Sequence, residues 1–219
     1  MNFKYLALTA MLGLVLTGCN SLPGTSTALP AELKQQLVTN KPIVAYFANT
    51  DDAEYSTEPT EDGYYRVLLG RDDKGRYLVQ DYFQATNKIQ SSPFWVDDSE
   101  YLRNFAAPGT EGIMYSYFKS GELSTSSKFS SDDENHPTHS FYRSGKQAIE
   151  FTLTDEDSST YDIKYWYENG KLAVDGKMSY PEDDAVYDAK AWDEQGKPVS
   201  GNAAITQIVE SIHDKISDE

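Results

Sequence analysis

Two stretches of this sequence and its one cysteine carry residue types that do chemistry. His136-Pro137-Thr138-His139 follows Asp132, Asp133 and Glu134, a donor set that can ligate a divalent metal. Two histidines three apart in a Pro-containing loop have no fixed relative geometry, so the stretch reads as a polar loop and not as a metal site. Gly70 and Gly75 have the spacing of a phosphate-binding loop. The Lys-Ser/Thr pair that should follow is missing, and Asp72 and Asp73 would put carboxylates where phosphate sits. Their segment reads as a hairpin turn. There is no Gly-x-Ser-x-Gly elbow, no dinucleotide fingerprint and no His-Glu-x-x-His. Paired carboxylates for glycoside hydrolysis are uninformative among 35 acidic residues. The single cysteine, Cys19, allows neither an internal disulfide nor a Cys-based zinc site. The residues therefore point to a protein that is not an enzyme and holds no metal or cofactor.

Charge narrows the partners. The 219 residues carry a formal charge of −16, which argues against nucleic acid, whose phosphates need clustered Lys and Arg. It argues equally against adsorption of the folded part onto anionic lipid. Aromatics make up 13% of the chain, with 16 Tyr, and this favours strands over disorder.

The N-terminus reads as an address. Lys4 precedes an apolar run, Tyr5 to Thr17, that is too short to span a bilayer as a helix. The run ends in Leu16-Thr17-Gly18-Cys19, which resembles a bacterial lipobox. That resemblance implies a signal peptide over 1–18 and diacylglyceryl attachment and amine acylation at Cys19. Several acyl chains would give a stable membrane anchor. Asn20 and Ser21 follow, with no Asp at the second mature position, which favours the outer over the inner membrane. Loss of Lys4 with the signal peptide takes the charge to −17. Residues 19–29 then form a Pro-, Gly-, Ser- and Thr-containing tether, and 30–219 form one domain.

Within that domain, Pro30–Thr39 predicts a short helix, with Leu33 and Leu37 four apart. A strand is expected over Ile43–Ala48. A hairpin follows, Tyr64–Leu69 and Arg76–Phe83 around Asp72–Gly75. From about residue 80 to 200 an internal repeat sets in. Phe83, Tyr117, Phe141, Trp166 and Trp192 each stand four residues before Asn87, Gly121, Gly145, Gly170 or Gly196. Gly, or Asn as second best, supplies the left-handed backbone of a tight turn, and an outgoing strand follows each one. Asp97–Gly112 is an insertion. Ile205, Ile208, Val209, Ile212 and Ile216 form a helical stripe over 203–216, with Asn202 as N-cap and His213 on the solvated side. The fold class is mainly β: an elongated antiparallel meander of hairpins with a short N-terminal helix and a C-terminal amphipathic helix that covers the sheet.

The segments YFKSGEL, FYRSGKQ and WYENGKL resemble MORN-variant repeats of the YwqK antitoxin-like kind. The resemblance implies tandem hairpins and an elongated antiparallel sheet.

The acidic residues keep step with the repeat. Clusters fall at Asp97-Asp98, Asp132–Glu134, Asp155–Asp157 and Glu182–Asp184, while the Gly turns carry Lys88, Lys119, Arg143, Lys146, Lys171 and Lys197. Alternate connections of a meander fall on opposite sides, so one acidic edge and one basic edge are expected, with an extended negative potential along the first. Candidate partner-binding residues are Asp132, Asp133, Asp155, Asp157, Asp183 and Asp184 on that edge. Trp166 and Trp192 join them on an open aromatic sheet face. The expected function is that of an envelope lipoprotein binding a protein partner through the sheet face or the acidic edge. An immunity or antitoxin-like protein acting on a periplasmic toxin, and a glycan- or peptidoglycan-binding surface protein, are the alternatives.

Overall fold

The computed structural model describes residues 40–50, 52–107, 109–130, 135–180 and 185–217. Cys19, the tether, the helix expected over 30–39, and Asp132, Asp133, Asp183 and Asp184 lie outside the described residues. No described helix is long and apolar enough to cross a membrane.

The chain builds antiparallel sheet throughout. The first strands are β1 (Ile43–Phe47), β2 (Tyr55–Ser56), β3 (Tyr64–Arg71), β4 (Tyr77–Phe83) and β5 (Phe94–Val96), arranged β2-β1-β3-β4-β5. Eight more follow as an uninterrupted meander. They are β6 (Gly112–Tyr117), β7 (Leu123–Phe129), β8 (Thr138–Phe141), β9 (Gln147–Asp155), β10 (Thr160–Trp166), β11 (Leu172–Ser179), β12 (Val186–Trp192) and β13 (Pro198–Val199). The helix α1 (Asn202–Ile216) ends the fold.

Residues 89–92 sew the two sheets together. Ile89 bridges Tyr82 of β4, and Ser91 bridges Ser116 of β6. Ser92 N donates to Tyr115 O at 2.7 Å, and Tyr117 N to Gln90 O at 2.8 Å.

One turn recurs along the chain. In the turns at Asp72, Phe118, Tyr142, Tyr167 and Asp193, that residue's N–H donates to the carbonyl four residues on. Its own carbonyl accepts from the glycine three residues on. Gly121, Gly145, Gly170 and Gly196 have φ between +78° and +116°, the left-handed backbone expected of them. Asn87, at φ +54°, serves in a turn one residue longer. The hairpin at Asp72–Gly75 shares this geometry, so the structural repeat starts one hairpin earlier than the aromatic spacing indicates. A register shift accompanies the aromatic before the turn at Ser116/Tyr117, Ser140/Phe141 and Tyr165/Trp166, the bulge that this hairpin type carries.

Neighbouring turns are tied to one another. Tyr142 Oη donates to Trp166 O at 2.7 Å, and Tyr167 Oη to Trp192 O at 2.8 Å. Lys88 Nζ reaches Ser120 O, Lys146 Nζ reaches Glu168 O, both at 2.7 Å, and Lys171 Nζ reaches Glu194 O at 3.0 Å. This corrects the expected basic edge. Lys88, Lys146 and Lys171 bind the next turn's carbonyls, and Glu122, Glu168, Asp193 and Glu194 share that end with the turn cations. The charged connections also lie at the ends of the strands and not along a lateral edge. The acidic turn Glu156–Ser159 falls at the opposite end from the Gly turns, as a meander requires.

Faces segregate by alternation. Under α1 lie Ile149, Ile163, Tyr165, Val174 and Ala191, packed on Ile205, Val209 and Ile212. Gly176 lies in the same cluster of strands, where a Cβ would meet the Asp188 carbonyl and Ala189. On the other face, His139, Glu150, Lys164, Asp175 and Lys190 stand opposite one another in turn across β8 to β12. Lys164 pairs with Glu150 at 3.5 Å and Lys177 with Asp162 at 3.3 Å. The open face is therefore a lattice of alternating charge, not the aromatic face expected from the paired aromatics. The second member of each pair, Phe118, Tyr142 or Tyr167, is buried, while Phe141, Trp166 and Trp192 are half-buried beside the Gly turns.

In the first sheet, Arg66 of β3 is 0% exposed, and Nε and Nη2 bind the two Asp81 carboxylate oxygens at 2.8 Å each. Nη1 donates to Tyr101 O and Asn104 O at 2.8 and 2.9 Å. The insertion after β5 is thus held down on the sheet through its own backbone carbonyls.

Candidate binding cleft

The cleft forms because α1 crosses the sheet obliquely and covers only part of its apolar face. Asn202, expected as the N-cap, is the first helical residue, and Gly201 occupies the cap at φ +97°. The Asn202 side chain instead holds the edge of β12: Oδ1 accepts from Tyr187 N at 3.0 Å, and Nδ2 donates to Ala185 O at 3.0 Å. At the far end Arg143 Nη2 donates to Ser217 O at 3.0 Å. Between these ties the helix runs from the start of β12 towards the turn after β8. The strand ends on one side of it stay uncovered.

There a cleft of about 360 Å³ opens, walled by Phe151, Tyr161, Met178, Tyr180 and Tyr187 from the sheet and by Val209 and His213 from the helix. Phe151 meets Tyr161 edge-on at 6.3 Å, and Tyr161 meets Tyr180 edge-on at 6.5 Å. Tyr180 is 44% exposed and forms the rim. Tyr165 lies at the floor, and burial pushes its phenol far up from the ordinary tyrosine range. Burial raises Tyr187 too, and the neighbouring Tyr180 and Glu210 add to the shift. Both are neutral hydrogen-bonding groups at pH 7.

His213 is an exposed residue, as expected, and its ring also takes part in the wall. Its Nε2 lies 3.3 Å from Tyr165 Oη, and the two rings meet edge-on at 5.7 Å. Partial burial lowers its pKa below 6.5, opposed by the charge of Asp214. The unfolded chain therefore takes up this proton first as pH falls. Stability carried by neutral His213 is complete above about pH 6.5 and declines as pH drops from there towards the folded-state pKa. Urea midpoints measured between pH 8 and pH 5 should fall below pH 6.5, and His213→Gln should flatten that limb. A midpoint that is insensitive to pH in the unsubstituted chain would mean that the Tyr165 contact does not desolvate this ring.

Just beyond Tyr161 the chain turns, and Asp155 stands opposite Thr160. Asp155 Oδ1 accepts from Ser158 N at 3.3 Å, and hydrogen bonds from Ser158 hold the carboxyl below its usual range. Asp155 and Asp157 thus stand at the cleft's end of the sheet. Trp166 closes the same strand, β10, at its other end, and seven residues of strand put the two about 20 Å apart. The structure does not bring the tryptophans and these aspartates into one site. The cleft residues were missed because none belongs to the turn motif. The one legible signal was Tyr161 and Tyr165, an even number of residues apart on a strand and so on one face.

Among the described residues no group of three or more His, Cys, Asp or Glu is placed to hold a metal ion. The cleft's chemistry is that of an aromatic, half-open slot with carboxylates at one end, suited to an apolar or cationic side chain. A scan against protein-family models finds no match, and a search of curated proteins finds no similar sequence.

Proposed function

We propose that this chain is a non-enzymatic envelope lipoprotein, anchored through Cys19, that binds a partner protein in the cleft beside α1. The cleft carries the reading. It offers the exposed aromatic area that anchors hot-spot side chains, next to a run of carboxylates that favours a basic partner segment. The Gly-turn hairpins support kinship with MORN-variant repeats, and the lipobox followed by Asn20 supports the outer membrane.

Cross-linking in envelopes of cells making the full chain tests the cleft. Tyr161→Ala with Tyr187→Ala should reduce partner capture at least tenfold, while Asp155→Asn with Asp157→Asn should make it less sensitive to salt. Undiminished capture by a folded tyrosine variant removes the cleft from the proposal. For the anchor, Cys19→Ser should abolish incorporation of labelled palmitate and move the chain to the soluble fraction. Retention of label would sink it.

A further inference from the structure

The sheet face turned away from α1 carries its charges in two facing rows. Across β9 to β12 one row runs Glu150, Lys164, Asp175, Lys190, and the next runs Thr152, Asp162, Lys177, Asp188. Sign alternates across the strands within each row. It alternates again along β10, β11 and β12, where the rows lie two residues apart. The result is a checkerboard of four carboxylates and three ammonium groups, close to neutral in a chain of −16. Asp162, Lys164 and Lys177 side chains are 58%, 46% and 55% exposed. The ion pairs Lys164–Glu150 and Lys177–Asp162 are long, 3.5 and 3.3 Å, against about 2.7–2.9 Å for a strong charge-assisted bond. Among the described residues, Asp175, Asp188 and Lys190 take part in no ion pair. A hollow of about 340 Å³ among Glu150, Asp162, Lys164, Asp175 and Lys177 leaves room for further side chains.

We propose that this face pairs with the same face of a second copy of the chain, about a two-fold axis parallel to the strands and midway between β10 and β11. Turning a copy over about that axis lays β10 on β11 of the second copy, and β9 on its β12. Lys164 then meets Asp175 of the second copy, Asp162 meets its Lys177, and Glu150 meets its Lys190. Asp188 meets the uncharged Thr152. Each contact occurs twice, as a two-fold interface requires, and no like charges face each other. The two pairs beside the axis each join a long side chain to a short one, which suits sheets about 10 Å apart. An axis lying along a strand would set like on like, so the pattern itself selects the register.

An axis perpendicular to the strands would also match the charges, but the insertion after β5 excludes it. Pairing carries this face from Glu150 through His139 and Ser126 to Tyr115. The bridges of Ser91 to Ser116 and of Ile89 to Tyr82 carry it on to Asp81 and Arg66, which hold the insertion. The perpendicular axis would lay one insertion on the other, whereas the parallel axis leaves each beyond the second copy's β13. Strands of about seven residues at 3.3 Å, four abreast at 4.8 Å, give about 450 Å² per copy, the size of a transient contact. The cleft lies on the α1 face, so the dimer keeps both clefts open and offers two to a partner.

Sedimentation of the full chain in detergent, at low and at high salt, tests the pairing. The unsubstituted chain should form a dimer at low salt that dissociates as salt screens the contacts. Lys164→Asp alone and Asp175→Lys alone each set like charges across the axis and should weaken the dimer at least about tenfold. Mixed in equal amounts, the two variants should pair with each other as tightly as the unsubstituted chain, because each carries the charge that the other lacks. That restoration also shows both variants to be folded. Lys74→Asp, in an exposed turn of the first sheet, should change nothing. A monomer at every concentration, or a mixture no tighter than its components, overturns the proposal. A dimer that survives high salt overturns it in favour of contact through apolar groups.

Discussion

Replacing Asp81 with Asn will cost the fold about 3–5 kcal/mol, because it strands a buried guanidinium. Arg66 and Asp81 are 0% and 2% exposed and share two parallel 2.8 Å hydrogen bonds. The rings of Phe47 and Phe94 flank the guanidinium at 5.1 and 5.2 Å and exclude water from it. An amide can accept from Arg66 but cannot balance its charge in that surrounding. Arg66→Met should cost a similar amount through the opposite defect. It leaves the carboxylate unpaired and takes the donor from Tyr101 O and Asn104 O, so the insertion loses its tie to the sheet. The exposed pair Lys119–Asp62, at 2.9 Å, is the control, and Lys119→Met should cost less than about 1 kcal/mol. Denaturant unfolding checks both, and proteolysis within 97–107 should accelerate in the Arg66 variant alone. A loss under 1 kcal/mol for Asp81→Asn would mean that water reaches this pair.

Ile212→Ala is expected to cost about 2–5 kcal/mol. Ile212 is 0% exposed and is one of three α1 residues, with Ile205 and Val209, that enter the sheet core. Strands hold one another by ladder hydrogen bonds, but α1 is held on the sheet chiefly by these side chains, so a cavity here loosens the helix as a unit. His213 follows in sequence, and its 3.3 Å contact with Tyr165 should go with it. The expected readings are a lower denaturation midpoint and loss of the pH-dependent limb assigned to His213. Ile208, only partly buried, should cost less on the same change. If Ile208→Ala and Ile212→Ala are equally costly, α1 is rotated from the orientation described. Partner capture should fall in the Ile212 variant as well, because the helix is one wall of the cleft.

Much of the fold follows from local chemistry and was legible in the sequence. A left-handed backbone is open to Gly, and next to Asn, so Gly121, Gly145, Gly170, Gly196 and Asn87 marked their turns without reference to the rest of the chain. The strands between them and the stripe of α1 followed from spacing alone. The placement of the Glu156–Ser159 turn at the opposite end from the Gly turns is a consequence of order along the chain, since a meander sends alternate connections to opposite ends.

What the tertiary structure decided is everything that depends on which residues of different strands come to lie opposite each other. The Arg66–Asp81 pair joins positions 15 apart, and each reads alone as a charged residue in an apolar strand. The alternating row from His139 to Lys190 exists only through the register of five strands, and that register turned an expected aromatic face into a charged one. Trp166 and Asp155 were separated by the length of one strand. Lys88, Lys146 and Lys171 proved to be donors to the neighbouring hairpin, which a single hairpin's sequence cannot contain. The cleft arose last, from the angle at which α1 crosses the strands. Asn202 ties one end of the helix and Arg143 the other, contacts 15 and 74 residues apart in sequence. Turn chemistry is a property of a few consecutive residues and is written in them. Pairing, facing and crossing angle are minima of the whole packed chain, and no short stretch of it carries them.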